Sequence, residues 1–281
     1  MNIESLLECL STIGHYGHIV STEEQIVLQN SLLILQNENH FRNVFLWGKI
    51  LGADKDYYVA YGYVKDVLYG KIYYYSTNCV DWGLLPQPTK NGLLLTPLCT
   101  TRFQGDPALV IDVLIEKEET WFLEEKFKGP QLRKLKEEDR LAALVHLITK
   151  EAAVVPRGVN FQRPDGVVVE NLSFEGLSAL EAREISSFQH DRAATQKYNT
   201  NLLTRDDYNY AMDFLDPLDI DIPEGSWIIQ IAAGETLVLL KCLFWPGLVF
   251  FHVLKTRKHG FVYIGNGKRC IDLPFMLSPF S

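Results

Sequence analysis

The sequence predicts an α+β protein in which antiparallel sheets form most of the core and a few helices lie at the periphery. The last quarter contains four apolar runs separated by short turns, which is typical of an antiparallel meander. A second region holds eight of the 13 tyrosines between Tyr57 and Tyr75, in runs of strand length. We therefore expect one integrated domain over residues 1–281, with a helical start over 1–40, a tyrosine-rich sheet with a charged helix over 41–150, and a β-rich region over 151–281.

Two helices are predicted in residues 1–40. The first covers residues 2–13, where Leu6, Leu7 and Leu10 follow helical spacing. Ser21 and Glu24 then form a capping box, which marks the start of a second helix ending near residues 37–39. The apolar residues behind this box suggest that the helix is amphipathic. They are Ile26, Val27, Leu32, Leu33 and Leu35.

A tyrosine-rich sheet follows these helices. Its predicted strands are residues 44–51, 56–63 and 69–76. Tyr57, Tyr61 and Tyr63 share one face of the second strand, since strand side chains alternate with a period of two. Two interpretations of this face stay open. It is either an ordinary sheet face with half-buried rings, or a face that binds a protein partner, because tyrosine is enriched at interfaces.

The rest of the region up to residue 150 is predicted as a connection followed by a helix. Three prolines and Gly92 in residues 84–101 favour a connection with little regular structure. The highly charged stretch 112–140 contains Pro130, which fits the first position of a helix running to about Lys150. Most of these charges are then expected on a solvated helix face.

Short strands are predicted again from residue 152. A hairpin is expected from residues 154–161 and 166–170. A second capping box at residues 178–181 predicts a helix to about Phe188. Six aspartates between residues 206 and 221 predict a solvated acidic loop, because their spacing does not match a calcium-binding EF-hand.

The C-terminal meander is the best-defined part of the sequence. Its apolar runs are residues 227–233, 236–245, 248–254 and 260–264. Several of the runs are apolar on consecutive positions, which indicates strands that are covered on both faces.

Composition narrows the class of protein. The 281 residues carry a net charge of −8, which disfavours binding to nucleic acid or to anionic membrane surfaces. The five cysteines include no C-x-x-C pair, so a reducing compartment fits better than a disulfide framework. No apolar stretch is long and uncharged enough to predict a membrane span.

The sequence contains no motif that predicts catalysis, a cofactor or a metal. It has neither a P-loop nor a G-x-S-x-G elbow, and the pair His15 and His18 has no further ligand nearby. His252 lies in an apolar run and is expected to be a buried core histidine. Two alternatives stay open. One is an enzyme with an unrecognised site, for which His190 beside Asp191 and Arg192 is the first suspect. The other is a ligand-binding module.

Several segments resemble the radial spoke head protein 9 family of motile cilia and flagella. They include FLWGKILGADKDYYVAYG at 45–62, FEGLSALEAREISSFQHDR at 174–192, MDFLDPLDIDIPEGSWIIQ at 212–230 and FWPGLVFFH at 244–252. The resemblance runs through nearly the whole chain in register. None of these segments is a generic catalytic motif.

The resemblance implies a non-enzymatic structural subunit of the radial spoke head, located in the axoneme. Its implied partners are radial spoke head proteins 4 and 6, radial spoke head protein 1 and radial spoke protein 3. The spoke head faces the central-pair projections and passes signals toward the dyneins of the outer doublets. The resemblance implies no cofactor and supplies no catalytic residues.

The apolar C-terminus offers a further candidate interface. Its residues are Leu273, Pro274, Phe275, Met276 and Leu277. Two interpretations stay open: these side chains close the protein's own core, or they dock against another subunit.

Overall fold

An eight-stranded sheet forms the centre of the fold and takes strands from both ends of the chain. The computed structural model describes residues 1–17, 20–115, 131–195, 208–223 and 225–276. In the described residues the helices are α1 (Leu6–Gly14), α2 (Thr22–Glu38), α3 (Lys90–Leu95), α4 (Glu137–Ala152) and α5 (Asp272–Met276). The strands are β1 (Asn43–Ile50), β2 (Tyr57–Tyr63), β3 (Ile72–Ser76), β4 (Gly83–Leu84), β5 (Val110–Ile115), β6 (Gln131–Lys136), β7 (Val154–Pro156), β8 (Asn160–Gln162), β9 (Val168–Glu170), β10 (Phe188–His190), β11 (Trp227–Ala232), β12 (Leu237–Cys242), β13 (Leu248–Val253) and β14 (His259–Gly265). This mixture of elements confirms the predicted α+β class.

The sheet joins the predicted tyrosine-rich strands to the predicted meander. Its spatial order is β11-β12-β13-β14-β1-β2-β3-β4, and neighbouring strands are antiparallel except for the parallel pair β14 and β1. At this junction Gly48 lies opposite Tyr263. A Cβ atom on Gly48 would lie 2.1 Å from the carbonyl oxygen of Tyr263, so the two backbones approach too closely for any side chain.

Both faces of the meander are covered along β12 and β13, as the consecutive apolar positions predict, whereas the edge strand β11 leaves Ile228 39% exposed. Along β12, Val238 and Leu240 belong to the core on the α4 side of the sheet. Leu237 and Leu239 belong to the core on the opposite side, beneath α1 and α2. All four side chains are buried. The alternation of strand side chains thus feeds two separate cores from one apolar run.

The α4 side of the sheet is covered by α4 together with the short pairs β7–β10 and β8–β9. Leu141, Leu144 and Ile148 of α4 are buried in this core. Trp47 of β1 donates from Nε1 to Thr149 Oγ1 at 2.9 Å, which ties the helix to the centre of the sheet. A buried indole N–H needs such a partner, so the bond also satisfies Trp47.

The opposite side is covered by α1 and α2. The predicted capping box at the start of α2 is present, with Glu24 N–H bonded to Ser21 Oγ and Ser21 N–H bonded to Glu24 Oε2. Leu28, Leu32 and Leu35 of α2 are buried against the sheet. Both helices predicted in the first 40 residues are therefore confirmed.

The charged stretch is organised differently from the prediction. The helix begins at Glu137 rather than near Pro130, which lies outside the described residues, and β6 precedes it in a hairpin with β5. The start of α4 is fixed by Glu137, whose buried carboxylate accepts hydrogen bonds from Gly105 N–H and the Tyr57 hydroxyl, both at 2.8 Å. Local helix propensity carries no information about this contact, because Tyr57 and Gly105 are far from Glu137 in the sequence.

Two local predictions between the main elements are wrong. The connection over residues 84–101 contains α3, which is capped by Thr89 Oγ1 accepting from Gly92 N–H at 3.0 Å. The second capping box is present, since Ser178 N–H bonds to Glu181 Oε2 at 2.8 Å, yet only short 3₁₀ turns follow it. The chain then enters β10 because Phe188 is buried against Phe250, with ring centroids 5.6 Å apart.

The acidic stretch before the meander is only partly solvated. Asp213 and Asp216 are buried. Asp213 pairs with Arg157, at 2.8 Å between Oδ2 and Nη2, and Asp216 pairs with Arg192. These two aspartates therefore hold the segment onto the core, contrary to the prediction of a solvated loop. The predicted hairpin is confirmed only in its second part, where β8 pairs with β9, while β7 pairs with β10.

Candidate interaction surfaces

The predicted tyrosine face lies inside the protein. Every residue of β2 is buried, because β1 and β3 flank it and cores lie on both of its faces. Tyr61 stacks on Phe45 with ring centroids 5.2 Å apart. Burial and the nearby Glu170 carboxylate, which accepts from the Tyr63 hydroxyl, raise the pKa of Tyr63.

Buried hydroxyls of this kind stabilise the core rather than present a surface. Tyr57 is fully buried, and its hydroxyl donates to Glu137. The pKa of Tyr57 is raised mainly by this burial and secondly by the Glu137 carboxylate. The interpretation as an ordinary packed sheet face describes Tyr57, Tyr61 and Tyr63 in this structure. Tyr61 and Tyr63 also line a cavity of about 630 Å³.

The walls of that cavity combine polar and apolar side chains. Lys71 and Asp191 form a buried ion pair in its wall at 2.7 Å. Within the described residues, Asn160 Nδ2 and Asp191 Oδ1 are buried without a protein partner. Both atoms are suited to ordered water, which commonly satisfies such groups in cavities of this size.

The three residues suspected of catalysis do not converge on one site. His190 is buried and its Nε2 lies 2.9 Å from Asp221 Oδ1, while Asp191 pairs with Lys71 and Arg192 pairs with Asp216. Each side chain points to a different structural partner. In the part of the chain that the structure describes, no group of histidine, cysteine or acidic residues could hold a metal ion.

His252 occupies the buried position that the sequence predicts. Its Nε2 accepts from Leu177 N–H at 3.0 Å and its Nδ1 lies 3.1 Å from the Lys258 carbonyl oxygen. These partners require the neutral tautomer with the proton on Nδ1. Burial lowers the pKa of His252 to about 4, so the ring is neutral at physiological pH.

The C-terminal candidate surface is exposed in its final turn. Residues Leu273–Met276 lie in α5, where Pro274 is buried whereas Phe275 and Met276 are 59% and 74% exposed. Leu277 lies outside the described residues. The segment leading to α5 is held to α4 by Arg269 Nε, which donates to Glu151 Oε2 at 2.8 Å. Phe275 and Met276 therefore lie on the surface of the described chain.

A second apolar surface lies on α2 and was missed from the sequence. We call it the α2 outer face, and it consists of Ile26, Val27, Leu33, Ile34 and the neighbouring loop residue Val80. Ile26 and Ile34 are 52% and 57% exposed. An amphipathic helix would bury these apolar residues, but the structure exposes Ile26, Val27 and Leu33. The signal for a second face was the unbroken run Leu32–Leu35, which is too wide for one stripe of a helix.

Comparison with known proteins identifies the family. A model described as radial spokehead-like protein matches residues 1–71. The chain is 40% identical over 278 residues to radial spoke head protein 9 homolog of Danio rerio, covering 99% of this chain and 100% of the relative. The homologs of Bos taurus and Homo sapiens are 39% and 38% identical over 277 residues, with the same coverage.

The chain belongs to the radial spoke head protein 9 family. The resemblance stated from sequence segments is thereby confirmed over the full length. In structural terms, the 1–71 match spans α1, α2, β1 and β2. It thus includes most of the α2 outer face and the strand that joins the two halves of the sheet.

Proposed function

We propose that this chain is a non-enzymatic structural subunit of the axonemal radial spoke head in cilia and flagella. In this role it supports assembly of the head and helps to transmit central-pair signals that regulate motility. The observation that carries the proposal is the full-length match to proteins named radial spoke head protein 9 homolog.

The structure supports a structural role through its surfaces. Buried polar contacts, such as Glu137 with Tyr57 and Asp213 with Arg157, lie within its own core. It exposes apolar side chains on the α2 outer face and on α5. Clustered exposed apolar residues mark contact with other proteins. Among the described residues, no helix is both long and apolar enough to cross a membrane.

The proposed partners are radial spoke head proteins 4 and 6, radial spoke head protein 1 and radial spoke protein 3. The test is an epitope-tagged chain expressed in cilia that lack the endogenous protein. We expect the chain to remain with washed axonemes and to co-purify with these four proteins after salt extraction, and we expect motility to recover. A chain that stays in the soluble ciliary fraction and co-purifies with none of them would refute the proposal.

We also propose that α5 forms one interface with another subunit of this assembly. Deletion of residues 272–281 removes the exposed Phe275 and Met276. The truncated chain should keep a cooperative thermal transition and lose part of its co-purification with the spoke head proteins. If it folds and co-purifies as well as the full chain, α5 is not a docking segment.

A further inference from the structure

The α2 outer face has the composition of an interface for another helix. We propose that it binds an amphipathic helix of a partner protein, with apolar residues at heptad spacing and a basic residue near each end. This inference rests on the proposed function as an assembly subunit. It adds the chemistry of one partner segment and the place where it binds.

The helix α2 is apolar on two opposite sides, and the residues that the structure describes cover only one of them. Leu28, Leu32 and Leu35 face the sheet and are buried. Ile26 and Leu33, like Val27 and Ile34, are seven residues apart and exposed on the other side. Seven-residue spacing places them on one stripe of the helix, which is the pattern by which helices pair.

The residue types on this stripe have no benefit for α2 alone. Isoleucine and valine are weaker helix formers than polar alternatives such as glutamine, because the surrounding turns restrict their branched side chains. In water, the exposed Ile26, Val27 and Ile34 therefore reduce helix stability and add apolar surface. Burial of these side chains by a partner would offset both the lower helix stability and the exposed apolar surface.

A groove beside α2 is already formed for such a partner. It has a volume of about 450 Å³ and lies between Val27 and Ile34 on the helix and Val80 and Trp82 on the loop. The loop is fixed to the helix, since Trp82 Nε1 donates to Ser31 Oγ at 3.1 Å. Because the groove is already formed, binding costs less conformational entropy.

The charges around the groove determine which occupant fits. The helix contains no lysine or arginine, and its exposed Glu23 and Glu38 stand at its two ends, with Asp81 in the wall of the groove. Glu38 lies at the C-terminus, where the helix dipole is negative and a cation is favoured. A partner helix with basic residues spaced about 23 Å apart, the length of 15 residues, would complement both ends.

A second copy of this chain fits less well. Pairing two α2 helices would place acidic ends against acidic ends, in a protein whose net charge is already −8. Like charges brought together across an interface disfavour association. The complementary occupant is therefore a basic-ended helix from a different protein.

The first test identifies the occupant by photo-crosslinking. The full chain carries a photoreactive amino acid in place of Ile34, and in a matched control in place of Leu180, which is 78% exposed on the surface of another segment. In isolated axonemes, the Ile34 probe should crosslink to an amphipathic, basic-ended helix of another spoke protein, and the Leu180 probe should not crosslink to that segment. A crosslink to a second copy, to a segment of other chemistry, or no crosslink at all overturns the proposal.

The second test measures the contribution of the face to assembly. The double variant Leu33→Glu, Ile34→Glu should lower retention of the chain in purified spoke heads about tenfold or more, as expected when central apolar contacts are lost. The control Leu180→Glu should leave retention unchanged. If the double variant loses its cooperative thermal transition, the charge variant Glu38→Lys, Asp81→Lys is measured in its place. It should also lower retention, because it reverses the charges that would face a basic partner.

The outcomes separate this inference from the proposed function. If the unmodified chain is absent from spoke heads, the proposed function fails. If the unmodified chain and the folded variants are retained equally, the chain is a spoke subunit but the α2 outer face is not its helix-binding site.

Discussion

The central strands of the C-terminal meander, β12 and β13, and the helix α2 are all apolar on consecutive positions, yet only the strands are covered on both sides. In β13, Phe250 packs on the α4 side of the sheet and Phe251 packs beneath α1 and α2, and both are fully buried. In α2, Leu32 is fully buried while the adjacent Leu33 is 51% exposed. The same kind of sequence pattern thus has two different structural outcomes.

This difference shows what an unbroken apolar run does and does not predict. It predicts that two sides of an element leave water, because single exposed apolar residues are common but contiguous ones are not. It does not predict that both covers come from the same chain. For the central meander strands β12 and β13 both covers are internal. For α2 the second cover is the partner helix that we propose.

The largest expected effect comes from truncating the centre of the meander. Phe250→Ala should lower the free energy of unfolding by about 3–5 kcal/mol, because it removes a fully buried ring and leaves a cavity. Ile34→Ala is the matched control on the exposed side of α2 and should change the free energy of unfolding by less than about 0.5 kcal/mol. Urea denaturation of both variants measures the difference. Equal losses would contradict the contrast between the two regions.

The second prediction concerns acid stability and His252 in the meander. Its ordinary pKa of 6.5 is lowered to about 4 in the folded state, mainly by burial. Since the unfolded chain takes up this proton first, the stability contribution is complete above pH 6.5 and is lost as the pH falls toward 4. The loss should reach about 3 kcal/mol, at 1.36 kcal/mol for each unit of pKa shift.

The control for this effect is His252→Gln, whose amide can still accept from Leu177 N–H and does not titrate. Urea denaturation at pH 7, 6, 5 and 4 should show a shallower decline for the variant than for the unmodified chain. Parallel declines would mean that His252 is not the group that takes up the proton.

The sequence predicts an element well when the signal is local, and less well when a distant contact decides. The α2 capping box uses only Ser21 and Glu24, and the structure has it as predicted. The start of α4 depends on Glu137 meeting Tyr57, which is 80 residues away in the chain. No local pattern around Pro130 contains that contact, so the helix start was misplaced.

The candidate surfaces show the same limit. Tyrosine enrichment predicted either a packed face or an interface, and the choice depended on neighbours of β2 that the local pattern does not contain. For α2, the apolar residues were visible in the sequence, but their division between two sides depended on how the helix is rotated on the sheet. For α5, the apolar C-terminus left open whether its side chains close the core or face outward, and the structure buries Pro274 but exposes Phe275 and Met276.

A smaller effect is expected at the start of α2. Ser21→Ala removes the hydroxyl that accepts from Glu24 N–H at 3.2 Å, and should lower the free energy of unfolding by about 1 kcal/mol. Thr22→Ala is the matched control, because it removes a neighbouring hydroxyl and leaves the cap intact. Hydrogen exchange should show the loss concentrated in the amides of α2, since this helix is covered on one side only. A uniform loss over the meander and α2 would show that both regions open as one unit.

The smallest effect on stability is expected on the α2 outer face itself. Leu33→Gln, Ile34→Gln exchanges exposed apolar side chains for a polar residue that forms helices at least as well as isoleucine, so the free energy of unfolding should change by less than about 0.5 kcal/mol. Leu32→Gln, at the adjacent fully buried position, should cost several times more, because it places an amide in the core. A loss of 2 kcal/mol or more in the double variant would mean that this chain already covers the outer face in solution. In that case α2 would resemble the meander, and the need for an external cover would disappear.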